Sequence, residues 1–154
     1  MRHAALEDQP TAVSAADVFR PLTDALGLTD IALNHYELTP GDSLGFCYHA
    51  HETQEEVFCV TEGVVTFDTE DGRERVAAGE LVCFGPGEFQ RGFNRGDERA
   101  AVLAIGAPRD GGEVELKRAC PDCGKRTPHR IEWENGDAVP TCRSCRAETG
   151  RYSR

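Results

Sequence analysis

Lysine is almost absent from this sequence, and long apolar runs are missing altogether. Lys117 and Lys125 are the only lysines among 154 residues, whereas 27 residues are acidic and the formal net charge is −10. A chain this acidic lacks the basic stripe that neutralises many phosphates of a nucleic acid. No segment approaches the roughly 20 apolar residues of a membrane span, and the first ten residues lack the apolar run of a signal peptide. We therefore expect a cytoplasmic protein that does not enter a membrane.

The charge is distributed unevenly along the chain. Residues 1–113 contain 8 arginines, no lysine and 21 acidic residues, whereas residues 114–154 contain 9 basic and 6 acidic residues. The small basic excess of the tail is a weak signal for nucleic-acid contact, and an arginine-bearing surface is the better explanation. The scarcity of lysine beside many acids resembles the proteins of salt-loving archaea, where dense carboxylates preserve solubility when salt screens charge.

Short β-like runs separated by turns dominate the middle of the chain. A hairpin signal, Glu70 to Gly72, follows one of these runs. Strands this short, spaced about 8–12 residues apart, predict an all-β sandwich or barrel. The predicted strands are residues 34–38, 46–51, 56–60, 63–67, 73–77, 80–84 and 100–105.

The segments on either side of the predicted barrel differ in composition from it. Residues 1–30 suggest a loose leader followed by a short helical segment, because Ser14 to Asp17 resembles a helix-capping box and Val18, Phe19, Leu22 and Leu26 form an apolar face. Glycine and proline after Ala107 indicate a linker. We therefore predict a barrel at 31–107, a linker at 108–116 and a small separate unit at 117–150.

Four cysteines give the tail a strong metal-binding signature. Cys120 and Cys123 form one C-x-x-C unit, and Cys142 and Cys145 form a second after 18 intervening residues. Four thiolates supply the tetrahedral sulfur site that suits structural zinc, and a tail of about 40 residues has too little core to fold without it. His129 is not needed as a ligand. Disulfides or unused thiols are the alternative, which a cytoplasmic compartment disfavours.

A second constellation lies in the predicted barrel. His49 and His51 are two residues apart, so on a strand they share one face. A carboxylate shortly afterwards, Glu55 or Glu56, could complete a two-histidine, one-carboxylate set for a divalent metal with open coordination positions. Exposed surface histidines and acids would explain the pattern about equally well.

These residues resemble the cupin family. Its first motif is G-x5-H-x-H-x3-4-E-x6-G, and this chain supplies His49, His51, Glu56 and Gly63, with Ser43 where the motif begins with glycine. The second motif is G-x5-P-x-G-x2-H-x3-N. Its counterparts here are Gly79, Pro86 (shifted by one position), Gly87, Gln90 and Asn94.

The resemblance implies a double-stranded β-helix (jelly-roll) barrel with a metal site inside, packed as a homodimer. The implied ligands are His49, His51 and Glu56, for iron, manganese, nickel or zinc. Gln90 replaces the usual third histidine, so it would be a weak fourth ligand or a hydrogen-bond donor to substrate. The alternative is a pocket that binds no metal, with His49 and His51 as vestigial residues. Cys47 is a possible pocket residue, although a small buried packing residue is the more common role.

Three functions are compatible with these features. The barrel could bind a metal, a small molecule or both. It could be a metal-dependent enzyme of the dioxygenase, isomerase or decarboxylase type, with the metal as Lewis acid or activating dioxygen. It could also be a sensory module whose C-terminal zinc ribbon, the fold predicted for residues 117–150, contacts a protein or a nucleic acid. The ribbon could instead be a stabilising cap or dimer contact. The fold alone does not decide between them.

Overall fold

The computed structural model describes residues 1–153, which form twelve β-strands and no helix. The all-β class predicted from the sequence is confirmed. The strands are β1 (Val18–Pro21), β2 (Ala32–Leu38), β3 (Tyr48–His51), β4 (Glu55–Glu62), β5 (Val64–Thr69), β6 (Gly72–Ala77), β7 (Leu81–Phe84), β8 (Gln90–Phe93), β9 (Ala100–Ala107), β10 (Val114–Cys120), β11 (Lys125–Glu134) and β12 (Asp137–Cys142).

Two antiparallel sheets enclose the core of the barrel. The first sheet has the order β1-β2-β9-β4-β7, and the second has the order β12-β11-β10-β3-β8-β5-β6. The core draws on both sheets: Phe58 of β4 lies 5.1 Å, centroid to centroid, from Phe67 of β5, which in turn lies 5.4 Å from Phe84 of β7. Alternation along each strand turns apolar side chains inward, and the small inner residues of β9 leave room for these rings.

The short N-terminal helix predicted from the sequence is wrong. Residues 18–21 form β1, which pairs with β2 and stacks Phe19 on Tyr36 at 4.7 Å between ring centroids. Ser14 Oγ accepts a hydrogen bond from the backbone N–H of Ala16, which is a local turn and not a helix cap. The proline at the end of β1 is tolerated because β1 is the edge strand of its sheet. Pairing with β2 therefore overrides the local helical pattern.

The C-terminal strands continue the second sheet of the barrel. Residues 114–117 of β10 pair with β3, and residues 117–120 of the same strand pair with β11. β10 begins at Val114, so the last three residues of the predicted linker belong to a strand. One strand thus serves both the barrel and the cysteine-bearing hairpins. Residues 1–153 contain no helix that is long and apolar enough to cross a membrane.

Candidate metal centres and ligand cavity

Three side chains from both sheets meet inside the barrel. His49 and His51 project from β3 into the barrel interior, and Glu56 reaches them from β4 in the opposite sheet. Glu56 Oε2 lies 3.7 Å from His49 Nε2 and 3.6 Å from His51 Nε2. One ligand atom from each residue lies within 4.8 Å of the other two. The three side chains therefore converge on one point between the sheets.

Gln90 lies at the same point. It is on β8 directly opposite His49, is 2% exposed, and places its Nε2 3.0 Å from Glu56 Oε2 and 3.2 Å from His49 Nε2. Its Oε1 is buried and has no hydrogen-bond partner. Exchanging the two amide atoms would direct Oε1 at the Glu56 carboxylate, an arrangement that needs a cation between them to be favourable.

The Glu56 carboxylate is held in its charged form. Burial on its own raises the pKa of this group, but hydrogen bonds and charge from His49 and His51 outweigh burial and lower the pKa to about 2. On the other side of the site, His49 Nδ1 lies 3.1 Å from the carbonyl oxygen of Cys47. That contact orients the ring so that Nε2 faces Glu56, as the outer partners of metal-bound histidines do.

These residues fit a divalent transition metal. Ligands bonded at about 2.0–2.2 Å lie about 2.8–3.6 Å apart in octahedral or tetrahedral geometry, close to the separations of 3.6 and 3.7 Å found here. Two imidazoles and one carboxylate leave coordination positions open, and iron, manganese, nickel and zinc all accept such ligands. The orphaned Oε1 of Gln90 adds a neutral donor at the same point.

Two further residues considered from the sequence lie close to this group. Glu55 is exposed, and alternation along β4 turns it to the outside of the barrel. Cys47 is 1% exposed and lies against the same interior as His49. Burial raises the pKa of the Cys47 thiol, although the charges of Arg118 and Arg91 oppose that shift. Cys47 is thus a protonated thiol at the wall of the interior.

His49, His51 and Glu56, which we call the metal-ligand group because their atoms could hold one ion, line a cavity of about 440 Å³, which we call the barrel cavity. Its walls are mainly apolar, and one arginine, Arg109, is the only basic residue apart from the histidines among those that line it. Arg109 donates hydrogen bonds to the Leu28 carbonyl oxygen at 2.8 Å and to Asp24 at 2.7 Å. The large apolar side chains of the wall are Phe19, Tyr36, Leu44, Phe46, Phe58, Leu116 and Ile131.

Part of the wall of the barrel cavity was not predicted from the sequence. Phe19 comes from the segment expected to be helical, Leu116 comes from the end of the expected linker, and Ile131 comes from the unit expected to be separate. Leu116 is directly opposite His49 across the β10–β3 pair. The available signal was the presence of apolar residues in an otherwise polar tail, but without the β10–β3 pairing nothing indicated what they contact.

The four tail cysteines form a second cluster, the cysteine site. The Sγ atoms of Cys120, Cys123, Cys142 and Cys145 all lie within 4.8 Å of one another. Cys120 Sγ is 3.5 Å from Cys145 Sγ, and Cys123 Sγ is 4.0 Å from Cys142 Sγ. These distances exceed a disulfide bond of about 2.05 Å and match the edge of about 3.8 Å of a tetrahedron with zinc–sulfur bonds of about 2.3 Å.

Both cysteine pairs sit in the same type of turn. The backbone N–H of Gly124 donates to the Cys120 carbonyl and that of Arg146 donates to the Cys142 carbonyl, each at 2.9 Å. Gly124 has φ +65° and Arg146 has φ +67°, so the arginine adopts the conformation that glycine adopts in the first turn. His129 lies outside the group of four and directs its Nδ1 to the Thr127 carbonyl oxygen at 2.8 Å.

Comparisons with known proteins agree with this architecture. Residues 34–106 match the family described as the cupin domain, and no curated protein matches the sequence closely enough to count as a relative. A sugar phosphate isomerase of the cupin superfamily from Silicibacter pomeroyi has a TM-score of 0.63 and 22% identity, covering 99% of this chain and 92% of that one.

Two further solved structures share the fold. The polyketide cyclase RemF from Streptomyces resistomycificus has a TM-score of 0.66 and 22% identity, covering 79% of this chain and 89% of its own. A predicted oxalate decarboxylase from Thermotoga maritima has a TM-score of 0.60 and 19% identity, covering 69% and 98% respectively. The matched segment and the shared fold together support a cupin-type β-barrel at residues 34–106.

Proposed function

We propose that the barrel is a metal-dependent site for a small, largely apolar molecule that carries a metal-binding oxygen, and that it acts on this molecule as an enzyme. The observation that supports this most directly is the convergence of His49, His51 and Glu56 at the wall of the barrel cavity. A divalent ion held by these three residues would supply Lewis-acid chemistry, and dioxygen chemistry if it is iron.

The lining of the barrel cavity supports an apolar substrate. A volume of about 440 Å³ lies at the lower end of the range for small-molecule sites. Aromatic and aliphatic side chains form most of the wall, and Arg109 is already engaged by Asp24. A sugar phosphate would need several cations or hydrogen-bond donors for its phosphate and hydroxyl groups. A ring-bearing, oxygenated molecule matches this wall better than a sugar phosphate or oxalate.

Shifted pKa values fix the protonation states of two side chains at the proposed ligand site, Tyr36 and Glu56. Burial, with the charge of Glu56 adding to it, raises the pKa of Tyr36, so the phenol stays protonated and can donate a hydrogen bond to a bound molecule. Glu56, with its lowered pKa, stays ionised and accepts hydrogen bonds. The site therefore combines one fixed negative charge with one neutral donor in an apolar enclosure.

A second candidate is a binding or sensory module without catalysis. The observation in its favour is Gln90, because a neutral amide is a weaker metal ligand than imidazole and its Nε2 already donates to Glu56. In this version the ribbon would contact a protein or a nucleic acid once the barrel is filled. Turnover of a bound compound separates the two candidates.

We also propose that the cysteine site holds a structural zinc ion. Four thiolates close the tetrahedral shell and leave no position for substrate, so the zinc would stabilise the hairpins and take no part in the reaction. The tail would then be a zinc ribbon that shares β10 with the barrel.

A homodimer is the assembly we propose. The outer face of the first sheet supports it, since Val57 and Cys59 of β4 lie beside Cys83 and Leu81 of β7, and Leu81 is 64% exposed. This largely apolar area, with the exposed Glu55 at its edge, is unusual on a chain with net charge −10 and would be protected by a second copy.

Metal analysis of the purified full-length protein tests the proposed centres. We expect one zinc ion and one further divalent ion per chain. His49→Ala should lose only the second ion, and Cys142→Ser should lose only zinc. His35→Ala is the matched control, because His35 is also buried but lies outside the barrel cavity. Retention of both ions by His49→Ala would contradict the barrel site. The full chain is needed because truncation before β10 would remove the wall supplied by Leu116.

Binding of a chelating aromatic compound tests the substrate class. Catechol should bind the metal-loaded protein and bind at least about tenfold more weakly to His49→Ala, because it would lose its oxygen–metal contacts. Glucose 6-phosphate is the control ligand. Tighter binding of glucose 6-phosphate than of catechol would contradict an apolar substrate.

A further inference from the structure

A second concave region lies on the opposite side of β3 from the metal-ligand group. Alternation along β3 turns His49 into the barrel and Tyr48 outward. The outward region spans the junction between the barrel and the cysteine-bearing hairpins and has a volume of about 300 Å³. We call it the junction groove. Its charged and aromatic lining includes Tyr48, Arg91, Phe93, Lys117, Arg118 and Arg126.

The four cations of the junction groove have no acidic partners. In the described chain, seven other arginines form ion pairs with carboxylates, whereas Arg91, Lys117, Arg118 and Arg126 form none. The net charge of the chain is −10, so carboxylates are available in excess. Four unpaired cations around one groove therefore form a local field opposite in sign to that of the whole chain.

The single carboxylate of the groove does not neutralise these cations. Asp68 accepts hydrogen bonds from Arg73 at 3.1 Å and from Arg95 at 2.7 Å, one on each carboxylate oxygen. Both of these arginines lie outside the lining of the groove. Both carboxylate oxygens of Asp68 are thus already engaged by arginines from outside the groove.

Protein contacts fix the cations in place. Arg91 donates to the Gly45 carbonyl at 3.1 Å and to Ser43 Oγ at 2.9 Å, and Arg118 donates to Tyr152 Oη at 2.7 Å.

The other two cations make cation–π contacts with aromatic rings. Lys117 Nζ lies 3.5 Å from the Phe89 centroid, and Arg126 Cζ lies 4.2 Å from the Tyr48 centroid. Cations held in this way lose little side-chain freedom when an anion binds, so binding costs less entropy.

From this arrangement we propose that the junction groove is a second ligand site, which binds a small anion carrying two or more phosphate groups. Guanidinium groups present paired donors that match phosphate oxygens, and the ammonium of Lys117 adds a compact positive charge. A single carboxylate would balance only one of the four cations, whereas a diphosphate balances most of them. The groove is as large as the smallest ligand pockets of about 300 Å³.

Titration with inorganic pyrophosphate tests this site in the full-length protein. His49→Ala serves as the background, because pyrophosphate also binds divalent metals and this variant lacks a ligand of the proposed barrel centre. We expect pyrophosphate to bind in that background, and Lys117→Gln or Arg126→Gln to weaken binding by at least about tenfold. Lys125→Gln is the matched control: it removes the other lysine of the same hairpins, which lies outside the groove.

Three results would overturn the proposal. The first is pyrophosphate binding no tighter than sulfate at equal ionic strength. The second is an equal loss of affinity in Lys117→Gln and Lys125→Gln, which would indicate a general charge effect. The third is binding of a single-stranded deoxythymidine octamer without binding of pyrophosphate, which would assign the groove to a nucleic-acid strand. All of these titrations use the His49→Ala variant, which lacks a ligand of the proposed barrel centre. A negative result for the junction groove therefore says nothing about the proposed barrel site.

Discussion

Replacing Gln90 by histidine is the most informative change to the barrel centre. Gln90 Nε2 lies 3.0 and 3.2 Å from two of the proposed ligand atoms, the spacing of neighbouring ligands bonded to one ion at about 2.1 Å. An imidazole reaches about as far from the backbone as the glutamine amide does. Gln90→His therefore places a third ring nitrogen where the amide nitrogen now lies.

The expected gain in metal affinity follows from the strength of ligand contacts. Outer partners of metal ligands alone are worth about 10–100-fold in affinity, so a direct nitrogen ligand should contribute at least about tenfold, or about 1.4 kcal/mol. The lost hydrogen bond from the amide to Glu56 works against this gain by about 1 kcal/mol. We expect a net increase in affinity that is largest for nickel and zinc, which favour imidazole.

Calorimetric titration with nickel, on protein whose cysteine site is loaded with zinc, measures this effect. Gln90→Ala is the control, because it removes the amide without supplying a ligand, and it should bind nickel no more tightly than the native chain. Circular dichroism would confirm that both variants remain folded. Nickel affinity that is unchanged or lower in a folded Gln90→His protein would refute the placement of the ion between His49, Glu56 and Gln90.

Three further outcomes are expected. Hydrogen bonds from Arg99 and Arg20 outweigh burial and lower the pKa of Glu37, so its ionised form stabilises the fold above the ordinary pKa of 4.5 and this stabilisation is lost as the pH falls below that value. Glu37→Gln should therefore make the melting temperature depend less on pH in the acid range, as thermal melts would detect. Cys142→Ser should abolish zinc binding and speed amide hydrogen exchange in β11 and β12 far more than in β5, and unchanged exchange would contradict a folding role for zinc. Leu81→Glu should convert the proposed dimer to a monomer in light scattering, whereas Trp133→Glu, at another exposed apolar residue, should not.

The strands that were predicted correctly are those whose own residues alternate. The predicted runs 34–38 and 56–60 lie within β2 and β4, where inward side chains such as Leu38 and Phe58 are large and apolar. β8 was not predicted, because its inward residues are Gln90 and Gly92 and carry no apolar signal. A strand built around a polar site loses the pattern by which strands are recognised.

The remaining errors arise from contacts between distant parts of the chain. β1 was read as a helix because Val18, Phe19 and Leu22 have helical spacing, yet the stacking of Phe19 on Tyr36 depends on a residue 17 positions away. The junction groove depends on Arg91 of β8 and Lys117 of β10 lying on either side of β3. Local sequence shows the residue types but not the pairing that brings them together.

The position of β10 changes the role expected of the tail. Cys120, the last residue of β10, is only four residues from Leu116, a distance of about 13 Å along an extended strand. Leu116 lies opposite His49, and its side chain lines the barrel cavity. A zinc ion that fixes Cys120 would therefore also fix the strand that pairs with the histidine-bearing β3. Loss of that ion would free β10 and expose the edge of β3, so the proposed ribbon acts as a wall of the barrel cavity and not as an independent appendage.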